Sequence, residues 1–281
     1  MSQCDEQWSV TLPDNLYLGT VSWMKPDWLG PFYPADLKSA ELLQCYARTF
    51  RTVEIDATFY RIPTMATVAG WRDRTPTGFV FAAKVPKLIT DVKLLSDCQR
   101  EMSRFLTVME PLGDKLGPLL LQFPYFNRNT FASRDPFDKL LRTFLKSLPK
   151  RFRFAVEIRN KNWISWDFVE LLREHGVGFV LLAQAWMPRI DTLAKALDLV
   201  TADFCYARFM GDRKSLESKT NKFDRIIENR TEEMTIWARE LKNIVGGGTP
   251  TYVFFSNYYA GFGPGSAKEF AAIYDRIRHN E

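Results

Sequence analysis

The sequence predicts one α/β domain folded as a TIM-type (β/α)8 barrel over residues 1–281, with a polar N-terminal extension at 1–14. Three observations carry this reading. Strand-like runs and amphipathic helical stretches alternate eight times without a break, as parallel strands joined by helical crossovers must. Eight such repeats favour a closed barrel over an open sheet. No GxGxxG fingerprint or phosphate-binding loop follows any strand, which removes the main signature of an open nucleotide-binding sheet.

Residues 16–23 predict the first strand, and a loop rich in Pro, Gly and aromatics follows at 24–37. The stretch 38–50 sets Leu42, Leu43, Tyr46, Ala47 and Phe50 on one helical face. The second strand is expected over 52–60, where Val53, Ile55, Ala57 and Phe59 alternate with Glu54, Asp56, Thr58 and Tyr60. A helix at 66–74 stops before Pro76, strand three covers 78–85, and 91–112 is helical. The unbroken apolar run 116–123 reads as a strand buried on both faces. Pro136 opens the next helix, strand five covers 153–159, and a helix at 166–175 ends at Gly176. Strand six at 178–183, a short helix at 192–200 and strand seven at 204–210 follow. A long helix over 222–245, ended by Gly246, Gly247 and Gly248, precedes strand eight at 251–257 and a last helix at 266–278.

Composition bounds the function. The chain is 46% hydrophobic and 25% charged, ordinary globular usage. No apolar run reaches the ~18 residues of a membrane span, and the polar residues 1–9 are not expected to be a signal peptide. The four cysteines lack CxxC spacing, so free thiols and a cytoplasmic location are expected. A net charge of +5 leans mildly toward an anionic partner. There are only two histidines, His175 at a helix end and His279 in the tail. That argues against a histidine-ligated zinc cluster and a catalytic histidine, and leaves Ser-His-Asp chemistry no histidine to use. A carboxylate-held Mg²⁺ or Mn²⁺ on Glu54, Asp56 and Glu157 is left as the metal alternative, although three nearby cations oppose it.

In a barrel the outer strand faces pack on helices, while the inner faces fill the core and line a site at the C-terminal mouth. Strand parity sends Glu54, Asp56, Lys84, Gln122, Glu157, Arg159 and Arg208 inward. Asn257 joins them on the premise that Val253 and Phe255 face the same way. Charges so deep must be paired or shift in pKa. The set reads either as a neutral ion-pair network or as an active site. In the second reading Glu54, Asp56, Lys84 and Glu157 are the catalytic candidates. Trp23, Tyr60, Arg61, Gln122, Arg159, Arg208 and Asn257 are then the substrate-binding ones, with no protein-held metal. The polar segment 211–222, with Arg213, Lys214, Lys219 and Lys222, reads as a lid, an anion-facing loop or plain solvated surface. Aromatic and basic residues on the loops could also form a stacking platform for single-stranded nucleic acid or a sugar.

Six stretches together resemble the DUF72, or YecE-like, family: GTVSW at 19–23, WLGPFYP at 28–34, TVEIDATFYRIP at 52–63, FAAKVP at 81–86, LGPLLLQFP at 116–124 and AVEIR at 155–159. The resemblance covers nearly the whole chain and implies a TIM-type barrel, with no established reaction. It also implies a barrel similar to that of endonuclease IV-like proteins, whose zinc cluster needs histidines missing here. Two positions depart from the family pattern: Asp56 stands where Asn is usual, and Met210 where His is frequent. The expected function is an enzyme, a hydrolase or lyase, acting on a small anionic substrate by acid/base chemistry at the barrel mouth. The alternative is a nucleic-acid-binding barrel without catalysis.

Overall fold

The computed structural model describes residues 10–280. Eight strands form one all-parallel sheet: β1 Leu16–Thr20, β2 Thr52–Ile55, β3 Val80–Lys84, β4 Leu116–Gln122, β5 Phe154–Glu157, β6 Gly178–Ala183, β7 Cys205–Phe209 and β8 Thr251–Phe255. Their spatial order is β1-β8-β7-β6-β5-β4-β3-β2. The helices are α1 Leu42–Thr49, α2 Ala57–Tyr60, α3 Met65–Asp73, α4 Gln99–Met109, α5 Arg134–Ser147, α6 Trp166–Glu174, α7 Ile190–Ala196, α8 Arg213–Glu217, α9 Thr231–Gly246, α10 Asn257–Ala260 and α11 Gly263–Asn280. Among the described residues no helix is long and apolar enough to cross a membrane.

Parity divides the strands as a barrel requires. Val53, Phe81, Leu121, Val156, Ala207 and Val253 join the large outer core beneath the helices. Ala82, Leu120, Ala155, Val180, Tyr206, Tyr252 and Phe254 fill a separate inner core. Burial of both faces explains why these strands read as apolar runs.

The β1/β2 seam closes differently from the others. Gly19 permits close approach, since a Cβ there would lie 2.2 Å from the Thr52 carbonyl oxygen. A single bridge joins Val21 and Glu54. Below it the buried Tyr46 hydroxyl accepts from the Thr20 amide at 2.9 Å and donates to the Thr52 carbonyl at 3.0 Å. One side-chain oxygen thus takes the place of a ladder bond. Tyr46→Phe leaves both backbone groups buried without that partner, and a loss of about 1–3 kcal/mol of unfolding free energy is expected in urea titration. A loss below a few tenths would show that the seam closes without Tyr46.

Several boundaries differ from the sequence reading. Alternation over 52–60 is broken at Ile55, because Asp56 is already αR and Ala57–Tyr60 is a helical turn. Period-two patterning cannot distinguish a strand that runs on from one that stops at the barrel mouth. The helix expected at 91–112 is a π-type turn at Leu88–Val92 followed by α4. The long helix expected from 222 starts at Thr231. The free-thiol reading holds for the buried Cys98 and Cys205, but Cys45 is disulfide-bonded. The cysteine argument for a reducing compartment therefore fails at that residue. Cys4 and most of the N-terminal extension lie outside the described residues.

Candidate functional site

Arg208, on β7, is the fully buried centre of the inner charges. Its Nη2 donates to Glu54 Oε1 at 2.7 Å. Its Nη1 donates to Glu157 Oε2 and, at 3.1 Å, to Gln122 Oε1. Tyr206, two residues earlier on the same strand face, donates its hydroxyl to Glu54 Oε2 at 2.6 Å. Arg159 donates to Glu157 Oε1 at 3.1 Å and to Gln122 Oε1 at 3.2 Å. Lys84 Nζ lies 3.2 Å from Asp56 Oδ1 and 3.6 Å from the Phe59 ring centroid. Three acids therefore meet three bases, each charge with a partner, as burial demands.

The network splits its carboxylates. Burial pushes Glu54 above the usual glutamate range, and Arg208 and Tyr206 only partly offset it. For Glu157 burial acts the same way, but Arg208, Arg159 and Lys84 together outweigh it and hold the carboxyl below that range. Lys84 is lowered, chiefly by burial and further by Arg208, against the pull of Asp56. Divergent pKa values among neighbouring groups are a frequent feature of acid/base sites.

Above this network opens a cavity of about 690 Å³ at the C-terminal mouth, within the range of small-molecule sites. Asp56, Lys84, Gln122, Arg159, Arg208 and Asn257 lie in its lining, together with Ser22, Lys25, Tyr60, Trp186, Arg213, Lys214 and Tyr258 among others. A second cavity of about 600 Å³ lies at the opposite end, near Arg151, Arg153 and His175. There Arg151 pairs with Glu110, and Arg153 with Asp203. Barrel sites form at the C-terminal face, so the mouth cavity is the candidate.

The expected site residues do not all reach it. Glu54 and Glu157 are wholly buried and absent from the cavity lining. Trp23 is also absent: it is buried edge-on against Trp71, and its carbonyl accepts from the Tyr33 hydroxyl at 2.7 Å. Arg61 is exposed beyond α2 and does not line the cavity. Asn257 does line it, but for another reason than expected. Val253 and Phe255 face outward, and Asn257 reaches the mouth as the first residue of α10. The segment 211–222 forms wall rather than loose loop. Asp212 caps α8, and the Phe223 amide donates to Asp27 Oδ2 at 3.0 Å, joining the connections after β7 and β1.

Two amides in the lining are held in one orientation. Asn257 Oδ1 accepts from the Trp28 indole at 3.2 Å and from the Gly263 amide at 2.9 Å. Gln122 Oε1 accepts from two guanidinium groups. Indole, guanidinium and backbone N–H groups only donate, so each amide must turn its oxygen to them and its NH2 away. Both residues are over nine-tenths buried, and neither NH2 has a hydrogen-bond partner among the described residues. They are oriented donors in the cavity lining.

Sequence reading passed over Ser22, Lys25, Trp186 and Tyr258. Ser22 has φ 81°, a strained value for a non-glycine residue, and its amide donates to the Glu54 carbonyl at 2.9 Å. The available signal was position: each follows the C-terminal end of a strand. The rim is also where apolar surface collects. Exposed large hydrophobics, including Met24, Tyr60, Val92, Tyr125 and Trp186, lie between a strand end and the long helix that returns to the next strand.

The family model "Protein of unknown function DUF72" matches residues 17–280. The UPF0759 protein YecE of Escherichia coli (strain K12) is 32% identical over 172 residues, 59% of this chain and 58% of that protein. The UPF0759 protein YunF of Bacillus subtilis (strain 168) is 30% identical over 161 residues, 55% and 54% respectively. The chain thus matches rather more than half the length of these curated relatives. A DUF72 family protein of Thermotoga maritima MSB8 superposes with a TM-score of 0.73 at 28% identity, covering 92% of this chain and 98% of that one. One from Enterococcus faecalis V583 shares the fold, with a TM-score of 0.63 at 22% identity over 95% and 98%. Its alternating elements, its closed barrel and the match along nearly its whole length make this chain a member of the DUF72 family.

Proposed function

We propose that the protein is an enzyme acting on a small anionic substrate by acid/base chemistry, a hydrolase or lyase, in the mouth cavity. The carrying observation is the Lys84–Asp56 pair, 3.2 Å apart. Of the inner acids, Asp56 alone lines the cavity. Lys84 is the proton carrier in this reading, its pKa lowered toward the working range by burial. Asp56 orients it. Glu54 and Glu157 hold Arg208 in place, with Arg159 beside it in the cavity lining. A divalent ion on Glu54, Asp56 and Glu157 does not fit, because each carboxylate already engages a cation.

Calorimetric screening of phosphorylated and carboxylated metabolites tests this. A ligand bound by the wild type should weaken at least tenfold on Lys84→Met, which keeps the stem and removes the charge. A ligand whose binding ignores that change, together with loss at no other mouth residue, would overturn the assignment.

The exposed Tyr60, Tyr125 and Trp186, with Lys25, Arg128 and Lys214 on the same rim, favour a second reading, single-stranded nucleic acid on the loops. The two separate on salt. Oligonucleotide binding should fall steeply between ~50 and ~200 mM salt, whereas a small anion held in the mouth should lose only a few-fold. No oligonucleotide binding at low salt ends the second reading.

A further inference from the structure

Charge and hydrogen bonding occupy different parts of the mouth. In the floor every cation is committed: Lys84 to Asp56, Arg159 to Glu157, and Arg208 to Glu54 and Glu157. What the floor still offers is the pair of oriented amide NH2 groups on Gln122 and Asn257, with Asp56 as an acceptor. The wall is different. Lys25 and Lys214 line the cavity with no ion pair among the described residues. Arg213 pairs with Glu217 of its own short helix, with 68% of its side chain exposed, a weak engagement, and lies 5.2 Å from the Tyr258 ring centroid. Asp212 is occupied in accepting from the Lys214 and Ser215 amides. Asp91 also lines the cavity, accepting from the Thr90 hydroxyl. The Phe223–Asp27 bond joins the two connections that carry these cations.

From this separation we infer that the substrate is a phosphate monoester of a hydroxylated carbon chain. Its phosphate sits on the wall at Lys25, Arg213 and Lys214, and its hydroxyl oxygens accept from Gln122 and Asn257 on the floor. The inference rests on reading the mouth as an anion-substrate site. Three cations suit a phosphate, which carries about −1.5 to −2 at neutral pH, better than a single carboxylate. A neutral floor with free donors suits hydroxyl groups better than a second anion. The wall then supplies affinity, and the floor places a carbon-bound hydroxyl or its neighbour beside Lys84.

The test is calorimetry with ribose 5-phosphate, glycerol 3-phosphate and glucose 6-phosphate, beside ribose, glycerol, glucose, inorganic phosphate, malate and citrate. At least one ester should bind tenfold or more tighter than both its free alcohol and inorganic phosphate. The surface variant Arg213→Ala/Lys214→Ala should weaken that ester at least tenfold. Asn257→Asp keeps the acceptor for Trp28 and Gly263 and removes the donor, so it should lower the preference for the ester over inorganic phosphate. If an ester binds but ignores the wall variant, this inference falls, while the acid/base reading still stands on Lys84→Met. If only the carboxylates bind, the phosphate class is wrong and the anionic-substrate reading survives. If no anion binds, both fall.

Discussion

Lys84→Met is expected to lower turnover by ~10²–10⁴-fold, the range for losing a positioned proton carrier, and Asp56→Asn to move the pH dependence in a stated direction. Burial lowers the Lys84 pKa below 10.5, and Asp56 is the largest influence opposing that fall. Without the Asp56 charge the lysine should titrate at still lower pH. If the neutral amine is the base, the rising limb of the rate against pH therefore shifts to lower pH in Asp56→Asn, with the wild-type limb lying below 10.5. Asn preserves the size of the side chain, so a loss of fold does not imitate this shift. Before a turnover assay exists, the pH dependence of acylation at Lys84, followed by mass spectrometry, reports the same ionisation. A limb that moves to higher pH, or stays in place, removes Lys84–Asp56 as the proton-transfer pair.

The second large effect is on stability. Arg208→Met leaves Glu54 and Glu157 facing each other's charge in a dry core, and a loss of about 3–5 kcal/mol is expected from breaking a buried pair on one side. Glu54→Gln and Glu157→Gln introduced with Arg208→Met should recover most of it, because neither wholly buried glutamate then carries an unpaired charge. The wild-type network also predicts opposite pH slopes. The Glu54 pKa is raised in the folded state, so the native protein holds a proton that the unfolded chain releases. Its contribution falls as pH rises from 4.5 through the raised folded value. The Glu157 pKa is lowered, so its contribution is present above 4.5 and is lost as pH falls through the lower folded value. Glu54→Gln should flatten the first slope and Glu157→Gln the second, in urea unfolding across pH. Matching slopes in both variants would mean that the carboxylates are not split.

How far the sequence reached is seen in single residues. Inward parity was legible for Lys84, Gln122, Glu157 and Arg208, because each interrupts an apolar run on a strand buried on both faces. The eightfold alternation and the C-terminal location of the site were legible for the same reason: amphipathic periods are local and survive in one dimension. Tyr60 was placed on a strand that had already ended, since alternation cannot mark where a chain leaves the barrel. Trp23 was a site aromatic by position, but the fold turned it into packing against Trp71. Asn257 was selected through the wrong parity and reaches the cavity from a helical turn.

Hydrophobic patterning is written residue by residue, and it was enough to specify the barrel, its family and the identities of its inner charges. Which of those charges line the mouth cavity is settled only when the sheet closes. Glu54 and Glu157 lie beneath the floor while Lys84 and Asp56 open into it, and the amides of Gln122 and Asn257 turn toward the cavity because donor-only partners far away in sequence hold their oxygens. Those outcomes depend on distances across the closed barrel, Glu54 to Arg208 and Trp28 to Asn257, and no local pattern encodes a distance between residues that meet only when the sheet closes.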